Sequence, residues 1–476
     1  MSNQETSFKQ SLGLVDATMI VAGSMIGSGI FIVSSDIMQG VGSAGWLIAV
    51  WVITAFMTIT AAVSYGELSG MYPRAGGQYV YLKEAYNPLI SFLYGWSFFA
   101  VIQTATIAAV GVAFSRYTAY LIPAVGEGNI LLDLGFLKIS AAQVLAIGII
   151  ILLTYTNTRG VKEGKIIQTT FTSVKLLSLF GLIILGFVLA KAGPWSDNWQ
   201  NAWDAVQVQK DAAGNVLKDT WKPIGGAVLI GAIAAGMVGS IFSSDAWNNV
   251  TFIAGEIKNP KRNIGLSLFL GTFIVSVIYI CANLMYLYVL PKQAIAFPEG
   301  GRVAVAASDE IFGPNGSIVI AVMIMISTFG CNNGLILAGA RVYYTMAKDG
   351  LFFKQAGELN KNAVPQWALW AQAVAAALLC LSGSYNNLLT MISFVVVIFY
   401  ALTIGGIFIL RKKRPDIERP YKAFGYPVLP VIYILLGITF CVFLALFEPV
   451  YSMWGLAIVL AGIPLYYLAI STRAKK

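Results

Sequence analysis

GSMIGSGIF, residues 23–31, sits in the middle of the first long apolar stretch of the chain. Three glycines and two serines fall where a helix crossing a bilayer should be most regular, and Gly23, Gly27 and Gly29 each weaken it. A helix opened here leaves backbone N–H and C=O groups bare, which hydrocarbon tolerates only where something binds them. A half-helix restarting near Gly29 would aim free N–H groups and a positive dipole end at an anion such as a carboxylate. The competing reading is helix packing, because Gly23-x-x-x-Gly27 is itself a small-xxx-small motif. Taken alone, the stretch leaves both readings open.

The surrounding chain decides the class. Of 476 residues, 58% are hydrophobic and 11% charged, where a soluble domain carries roughly 25% charged residues. This is the composition of an integral membrane protein, and 13% aromatic content suits a helix bundle with interfacial belts. Apolar runs of bilayer length, ~20 residues, occur at 14–39, 44–69, 88–121, 140–158, 165–190, 225–255, 263–290, 315–347, 366–383, 386–410, 426–447 and 450–470. They predict an all-α protein with twelve transmembrane helices. The polar start MSNQETSFKQ and the length of the first run argue against a signal peptide.

Charge sets the topology. The net charge is +9, and the basic residues gather in alternate loops: Arg74 and Lys83; Arg159 and Lys162; Lys258, Lys261 and Arg262; Lys348, Lys354 and Lys361. The densest group is Arg411, Lys412, Lys413 and Arg414, and Arg473, Lys475 and Lys476 close the chain. In 191–223 the lysines are balanced by aspartates, and Trp195, Trp199 and Trp203 suit an outer interface. The positive-inside rule then places both termini in the cytoplasm, in a multi-pass cell (plasma or inner) membrane protein. A nucleic-acid partner is excluded because the charges flank and alternate with the spans. Cys281, Cys331, Cys380 and Cys441 all fall inside apolar runs, so no structural disulfide and no covalently linked partner is expected. The chain has no histidine, and no nucleophile or metal-ligand cluster stands out, so neither an enzyme nor a metal or other cofactor is expected.

The sixth apolar run carries a second interruption. It reads GMVGSIFSSDAWNNV from Gly236 to Val250, with Ser243, Ser244, Asp245, Asn248 and Asn249 at mid-membrane depth. Packing does not need an aspartate there. Paired breaks five helices apart point to an inverted-repeat transporter with its site at the midplane. The repeats would be about 14–190 and 225–410, making 14–410 the core after an N-terminal segment 1–13. A basic loop 411–423, two added helices in 424–470 and the C-terminal 471–476 complete the division. Lys175 lies ten residues past Lys165, about 15 Å along a helix and near the bilayer centre. A lysine at that depth should face the interior and meet carbonyls, hydroxyls or a carboxylate, either as a fixed cation holding the broken helix or as a titrating group. Asp245 is either the cap of the second half-helix or a contact for a substrate cation. Glu67 and Glu256 sit at the cytoplasmic ends of spans as gate or loop partners, and Ser327, Thr328, Cys331 and Asn333 form a polar face that could meet Lys175.

With these residues in view, the sequence resembles the amino acid–polyamine–organocation superfamily, and within it the L-amino acid transporter type. The resemblance rests on GSMIGSGIF, PRAGGQYVYLKEAYNP after span two, FSSDAWNNVTFIAGEIKNPKRN from Phe242 to Asn263, ISTFGCNNGLILAGARVYYTMAKDG and RPDIERPYKAFGYPVLP. It implies a LeuT-like fold of 5+5 inverted repeats plus two helices, with helices 1 and 6 discontinuous. It further implies that a substrate α-carboxylate meets the backbone around Gly27, Ser28, Gly29 and Ile30, and that the α-amino group meets the carbonyls of Met25, Phe242 and Asp245, beside Ser243. Phe242 would be the aromatic gate, Ile102, Thr106 and Ala109 would border the side-chain pocket, and Lys175 would stand where sodium-coupled relatives hold a cation. Animal members carry a cysteine after span three for linkage to a heavy chain, whereas 121–139 has none here, which implies a stand-alone, microbial-type member without a disulfide-linked heavy chain. The expectation is a sodium-independent secondary transporter of L-amino acids, neutral ones first, working by alternating access and most readily as an exchanger. Proton-coupled uptake using Lys175 and a non-transporting amino-acid sensor are the alternatives.

Overall fold

The computed structural model describes residues 10–135, 138–190, 193–211, 216–381 and 385–474. Residues 1–9 and the side chains of Lys162, Lys165, Lys191, Lys210, Arg473, Lys475 and Lys476, read above for charge and topology, lie outside that description. Twelve crossings are present among the described residues. Ten are single helices long and apolar enough to span a bilayer: Ala44–Met71 (span 2), Pro88–Leu121 (span 3), Ala141–Thr158 (span 4), Val161–Leu189 (span 5), Gly226–Ser243 (span 6), Pro260–Val289 (span 7), Pro314–Lys348 (span 8), Tyr385–Lys413 (span 10), Val428–Phe447 (span 11) and Pro449–Ala474 (span 12). The other two are the divided span 1, Leu14–Met25 and Val33–Val41, and the shorter Gln366–Cys380, span 9.

The helix boundaries follow local chemistry. Pro88, Pro260 and Pro314 occupy first-turn positions, where a missing N–H costs nothing. Span 4 opens on a capping box in which the Ser140 N–H donates to Gln143 Oε1 at 2.8 Å. Span 3 is not uniform: Phe98–Ile102 forms a π-helical turn inside it. Between spans lie elements that apolar periodicity does not reveal. A short helix, Gln78–Ala85, precedes span 3, and Val303–Phe312 precedes span 8. Two antiparallel hairpins form, Ile130–Asp133 with Lys138–Ser140 and Val206–Lys210 with Val216–Pro223.

The packing is reciprocal between the first five spans and the next five. Span 1 packs on span 7, and span 6 packs on span 2. Span 5 packs on span 8, and span 10 on span 3; span 1 touches span 5 as span 6 touches span 10. Shifting each partner by five spans maps one set of contacts onto the other. Spans 11 and 12 stand outside that pattern, against span 10, and expose Leu446 and Trp454, as span 5 exposes Leu177 and Val188. Large apolar side chains exposed in this number are the outer face of a bundle solvated by lipid.

The face carrying the basic loops is closed by buried charge. Glu67 of span 2 accepts Arg411 Nε and Nη2 at 2.9 and 2.7 Å and the Ala423 N–H at 2.7 Å, with Arg419 3.4 Å away. Glu256, beyond span 6, pairs with Arg341 of span 8 at 3.1 Å, and both are buried. The Glu256 carbonyl also takes the N–H groups of Ser11 and Leu12 at 2.9 and 3.0 Å, tying the start of span 1 to the end of span 6. Asp349 accepts Lys83 Nζ at 2.7 Å and the Tyr79 hydroxyl at 2.9 Å, while burial and that carboxylate push the Tyr79 phenol above its ordinary range. Removing one member of a buried pair leaves the other charge uncompensated. Arg341→Met should therefore destabilise the protein by about 3–5 kcal/mol, and the double variant Arg341→Met/Glu256→Gln should recover part of that loss. Thermal unfolding in detergent measures both, and equal melting temperatures for the single and double variants would rule the coupling out.

Candidate functional site

A helix ending inside a bundle strands its last four carbonyls. The first half of span 1 ends at Met25, and Ile26, with ψ 88°, leaves the helix. Each stranded carbonyl is met by a side chain or backbone donor. Lys175 Nζ donates to the Gly23 carbonyl at 2.7 Å and to the Ile26 carbonyl at 2.8 Å. Ser327 Oγ adds a second donor to Ile26 at 3.3 Å, Cys331 Sγ lies 3.2 Å from the Ser24 carbonyl, and the Ile26 N–H closes on Ala22 at 3.0 Å. The Met25 carbonyl receives the Tyr279 hydroxyl at 3.0 Å, and the same oxygen lies 3.0 Å from the Ser243 carbonyl of span 6.

After the break the chain restarts as the 3-10 turn Gly29–Phe31, kinks at Ile32 and continues as Val33–Val41. The N–H groups of Gly29 and Ile30 open that turn and have no preceding turn to serve them. Tyr117 and Tyr286 hydroxyls reach the Phe31 and Ile30 carbonyls at 3.0 and 3.3 Å. Span 6 stops at Ser243 and resumes with the single turn Asn249–Phe252. The two breaks touch: a Cβ on Gly29 would lie 1.9 Å from Ser243 Oγ and 2.6 Å from its Cβ, so only glycine fits. The whole junction is buried, including Ser28, Ile30, Phe242, Ser243 and Asp245.

The structure sorts the sequence candidates. Lys175, Ser327 and Cys331 converge on the opened carbonyls of span 1. Asn333 turns the other way and accepts Asn157 Nδ2 of span 4 at 2.9 Å, while Thr328 bonds back to Ile324 of its own helix. Asp245 does not cap the second half-helix: the N-cap position is Asn248, without a side-chain cap, and Asp245 Oδ1 accepts the Tyr400 hydroxyl of span 10 at 2.5 Å. The Met25 and Phe242 carbonyls are already engaged, by Tyr279 and by the Asp245 N–H at 3.2 Å. Ile102 and Thr106 line a closed cavity of about 10 Å³ with Asp245, Asn249 and Val396, whereas Ala109 is buried and does not line it. Sequence reasoning missed Tyr279 and Tyr400, two ordinary-looking tyrosines in apolar helices whose hydroxyls serve the two breaks.

On the face opposite the basic loops a cavity of about 440 Å³ opens between the second half of span 1, span 6 and the start of span 10, lined by Asp36, Gln39, Gly236, Asn387, Glu448 and Tyr451. This cavity and the buried ion pairs thus lie on opposite faces of the molecule. Forcing a methyl group into the contact between the breaks should disturb this geometry directly. Gly29→Ala is expected to lower stability by about 1–3 kcal/mol, and adding Ser243→Gly, which removes the atoms struck first, should restore part of it. A Gly29→Ala protein that melts with the parent would mean the breaks are free to separate.

Comparison with known proteins bears on the same residues. The chain is 30% identical over 467 residues to the human large neutral amino acids transporter small subunit 2, covering 98% of this chain and 81% of that one. It is 26% identical over 469 residues to the human b(0,+)-type amino acid transporter 1, covering 97% and 88%. To the mouse Asc-type amino acid transporter 1 it is 27% identical over 481 residues, covering 100% and 84%. The profile of one family, described as amino acid permease, matches residues 12–470, which takes in both helix breaks, Lys175, spans 1 to 11 and all but the last turn of span 12. The chain is a member of the amino acid permease family and a multi-pass membrane transport protein rather than an enzyme.

Proposed function

We propose that this protein exchanges L-amino acids across the cell membrane by alternating access and without sodium. The observation that carries the reading is Lys175, whose ammonium sits 2.7 and 2.8 Å from two carbonyls of the opened span 1. Carbonyls released at a helix break are the ligands with which a transporter of this architecture would bind a coupling cation. Here a tethered ammonium occupies them. The substrate α-carboxylate would meet the N–H groups that open the turn at Gly29, with Gly27, Ser28 and Ile30 around it, and the side chain would extend toward Ile102, Thr106 and Asp245. Because the Met25 and Phe242 carbonyls already have donors, the α-amino group would have to displace or share one of them.

The charge pattern of the basic loops supports a cytoplasmic position for the sealed face and both termini, with the 440 Å³ cavity toward the outside. All four cysteines are free, none lies in 121–139, and the chain would work without a disulfide-linked heavy subunit. Substrate selection favours neutral amino acids. Names printed for the relatives, large neutral, b(0,+)-type and Asc-type, support the amino-acid class without choosing among side chains.

Proteoliposomes separate the readings. Labelled amino acid should accumulate in vesicles loaded with unlabelled amino acid and not in empty ones, in choline as well as in sodium. Uptake into empty vesicles that rises with an inward proton gradient would instead establish proton coupling, and strict sodium dependence would remove the role given to Lys175. Lys175→Ala should reduce counterflow by at least about tenfold, the scale of losing charged hydrogen bonds to buried carbonyls. Unchanged counterflow and binding in that variant would overturn the proposal.

A further inference from the structure

Where spans 2 and 10 end and span 3 begins, on the face of the basic loops, positive charge gathers around a single carboxylate. Glu84, at the end of the short helix before span 3, has Arg74 Nη2 3.3 Å from one oxygen and Arg414 Nη2 3.7 Å from the other. Lys413 Nζ donates to the Glu84 carbonyl at 3.2 Å. Three cations thus share one acidic group, and both guanidiniums are open to the surface, 63% and 46% exposed.

A buried phenol meets the same charges. Tyr72 follows directly on span 2 and is 5% exposed, yet its hydroxyl has no hydrogen-bond partner. The charges felt at that phenol are those of Glu84, Arg414, Arg74 and Arg419, and the Arg74 guanidinium lies 5.8 Å from its ring. Arg419 is held by the Ile417 and Arg414 carbonyls, each at 2.9 Å, which leaves its Nε without a hydrogen bond, 3.4 Å from Glu67. Donors are therefore in surplus: two buried ones are unanswered, and two exposed guanidiniums share a carboxylate. A buried polar group left unpaired calls for a ligand or a water. A positively charged, donor-rich cluster lacks an anion with several acceptor oxygens, and the fork of an arginine matches the oxygens of a phosphate. A cation or an apolar group would answer none of these donors.

The depth of the cluster selects the source of the phosphate. Tyr72 is the first residue past span 2 and Arg414 the first past span 10, while Glu84 stands just before Pro88 opens span 3. Side chains at the ends of three spans lie at the level of the lipid headgroups, where basic pockets between helices bind anionic ones. Deeper along span 3, Phe92 stacks on Tyr466 of span 12 at 5.5 Å, and the adjoining Tyr467 and Leu468 are exposed, an apolar surface for acyl chains below the charges.

We infer that Tyr72, Arg74 and Arg414 form a binding site for the phosphate of an anionic phospholipid headgroup, with Lys413 and Arg419 beside it. Arg414 stands three residues beyond Arg411, the partner of Glu67. A headgroup held there fastens the end of span 10 to the ends of spans 2 and 3, in the conformation whose basic face is closed.

The full chain in detergent, stripped of lipid and titrated with phosphatidylglycerol or phosphatidylcholine, tests the site. Melting temperature and lipid retention in native mass spectrometry are the readouts. Phosphatidylglycerol should raise the melting temperature and be retained, and phosphatidylcholine should do neither. Arg74→Gln/Arg414→Gln should weaken phosphatidylglycerol retention at least about tenfold. Tyr72→Phe removes a hydroxyl that bonds nothing in the fold, and should weaken retention about tenfold, the scale of a hydrogen bond to a charged group. Lys354→Gln/Lys361→Gln takes as much charge from the same face elsewhere and should leave retention within about twofold. Equal behaviour of the two lipids overturns the proposal. So does a loss in the lysine variant that matches the loss in the arginine variant, which would assign binding to the diffuse charge of the face. Protection by inorganic phosphate equal to that by phosphatidylglycerol would make the ligand a soluble anion and defeat the lipid assignment. Unchanged retention in Tyr72→Phe overturns the site whether or not the double arginine variant folds.

Discussion

Opening a helix inside a bilayer is permitted only if every carbonyl it frees finds a donor, and that requirement organises this molecule. The carbonyls of Gly23, Ser24, Met25 and Ile26 draw in Lys175 from span 5, Ser327 and Cys331 from span 8 and Tyr279 from span 7. Three separate helices are therefore committed to one short stretch of backbone. An unsatisfied group there would cost several kcal/mol. The break is held as tightly as a core contact, although it contains no regular structure.

The second break is coupled to the first through steric contact. Gly29 admits no side chain because Ser243 fills the space, and Tyr279 stands between the Met25 and Ser243 carbonyls. On the basic face, Leu12 and Ile257 bridge the same two spans in parallel. Spans 1 and 6 are thus tied at the midplane and again at one end, so a rearrangement that opened the basic face would carry both together. Of the charges sealing that face, Glu256 with Arg341 connects them to span 8, and Glu67 with Arg411 joins span 2 to span 10.

How far the sequence could be read follows from where each signal resides. Twelve crossings, two interruptions and a deep lysine were legible because they depend on the type and spacing of residues within a single run. Lys175 was legible for the further reason that no charged residue is inexpensive at that depth. The role of Asp245 was not: capping is a local expectation, and the hydroxyl that claims its carboxylate comes from Tyr400, 155 residues away. The partners of Asn333, Glu67 and Glu256 are equally remote, at Asn157, Arg411 and Arg341. Gln78–Ala85, the π-helical turn in span 3 and the hairpin Val206–Pro223 leave little periodic trace, since each is set by what it packs against.

A tethered cation has a consequence for energetics that a diffusible one does not. A sodium ion bound at freed carbonyls brings the free energy of its gradient with it, because it arrives from one side and leaves to the other. The ammonium of Lys175 meets the same kind of oxygen but never crosses the membrane, so it contributes the charge without the gradient. If it stays protonated throughout, nothing but the amino acid moves, and the only driving force left is the difference in amino-acid concentration across the bilayer. Exchange follows when the unloaded protein passes between its two faces more slowly than the loaded one. In the proposed reading the closure is of that kind: the turn at Gly29, buried without a partner during the transition, would raise the barrier, and a bound amino acid whose carboxylate met it would lower it.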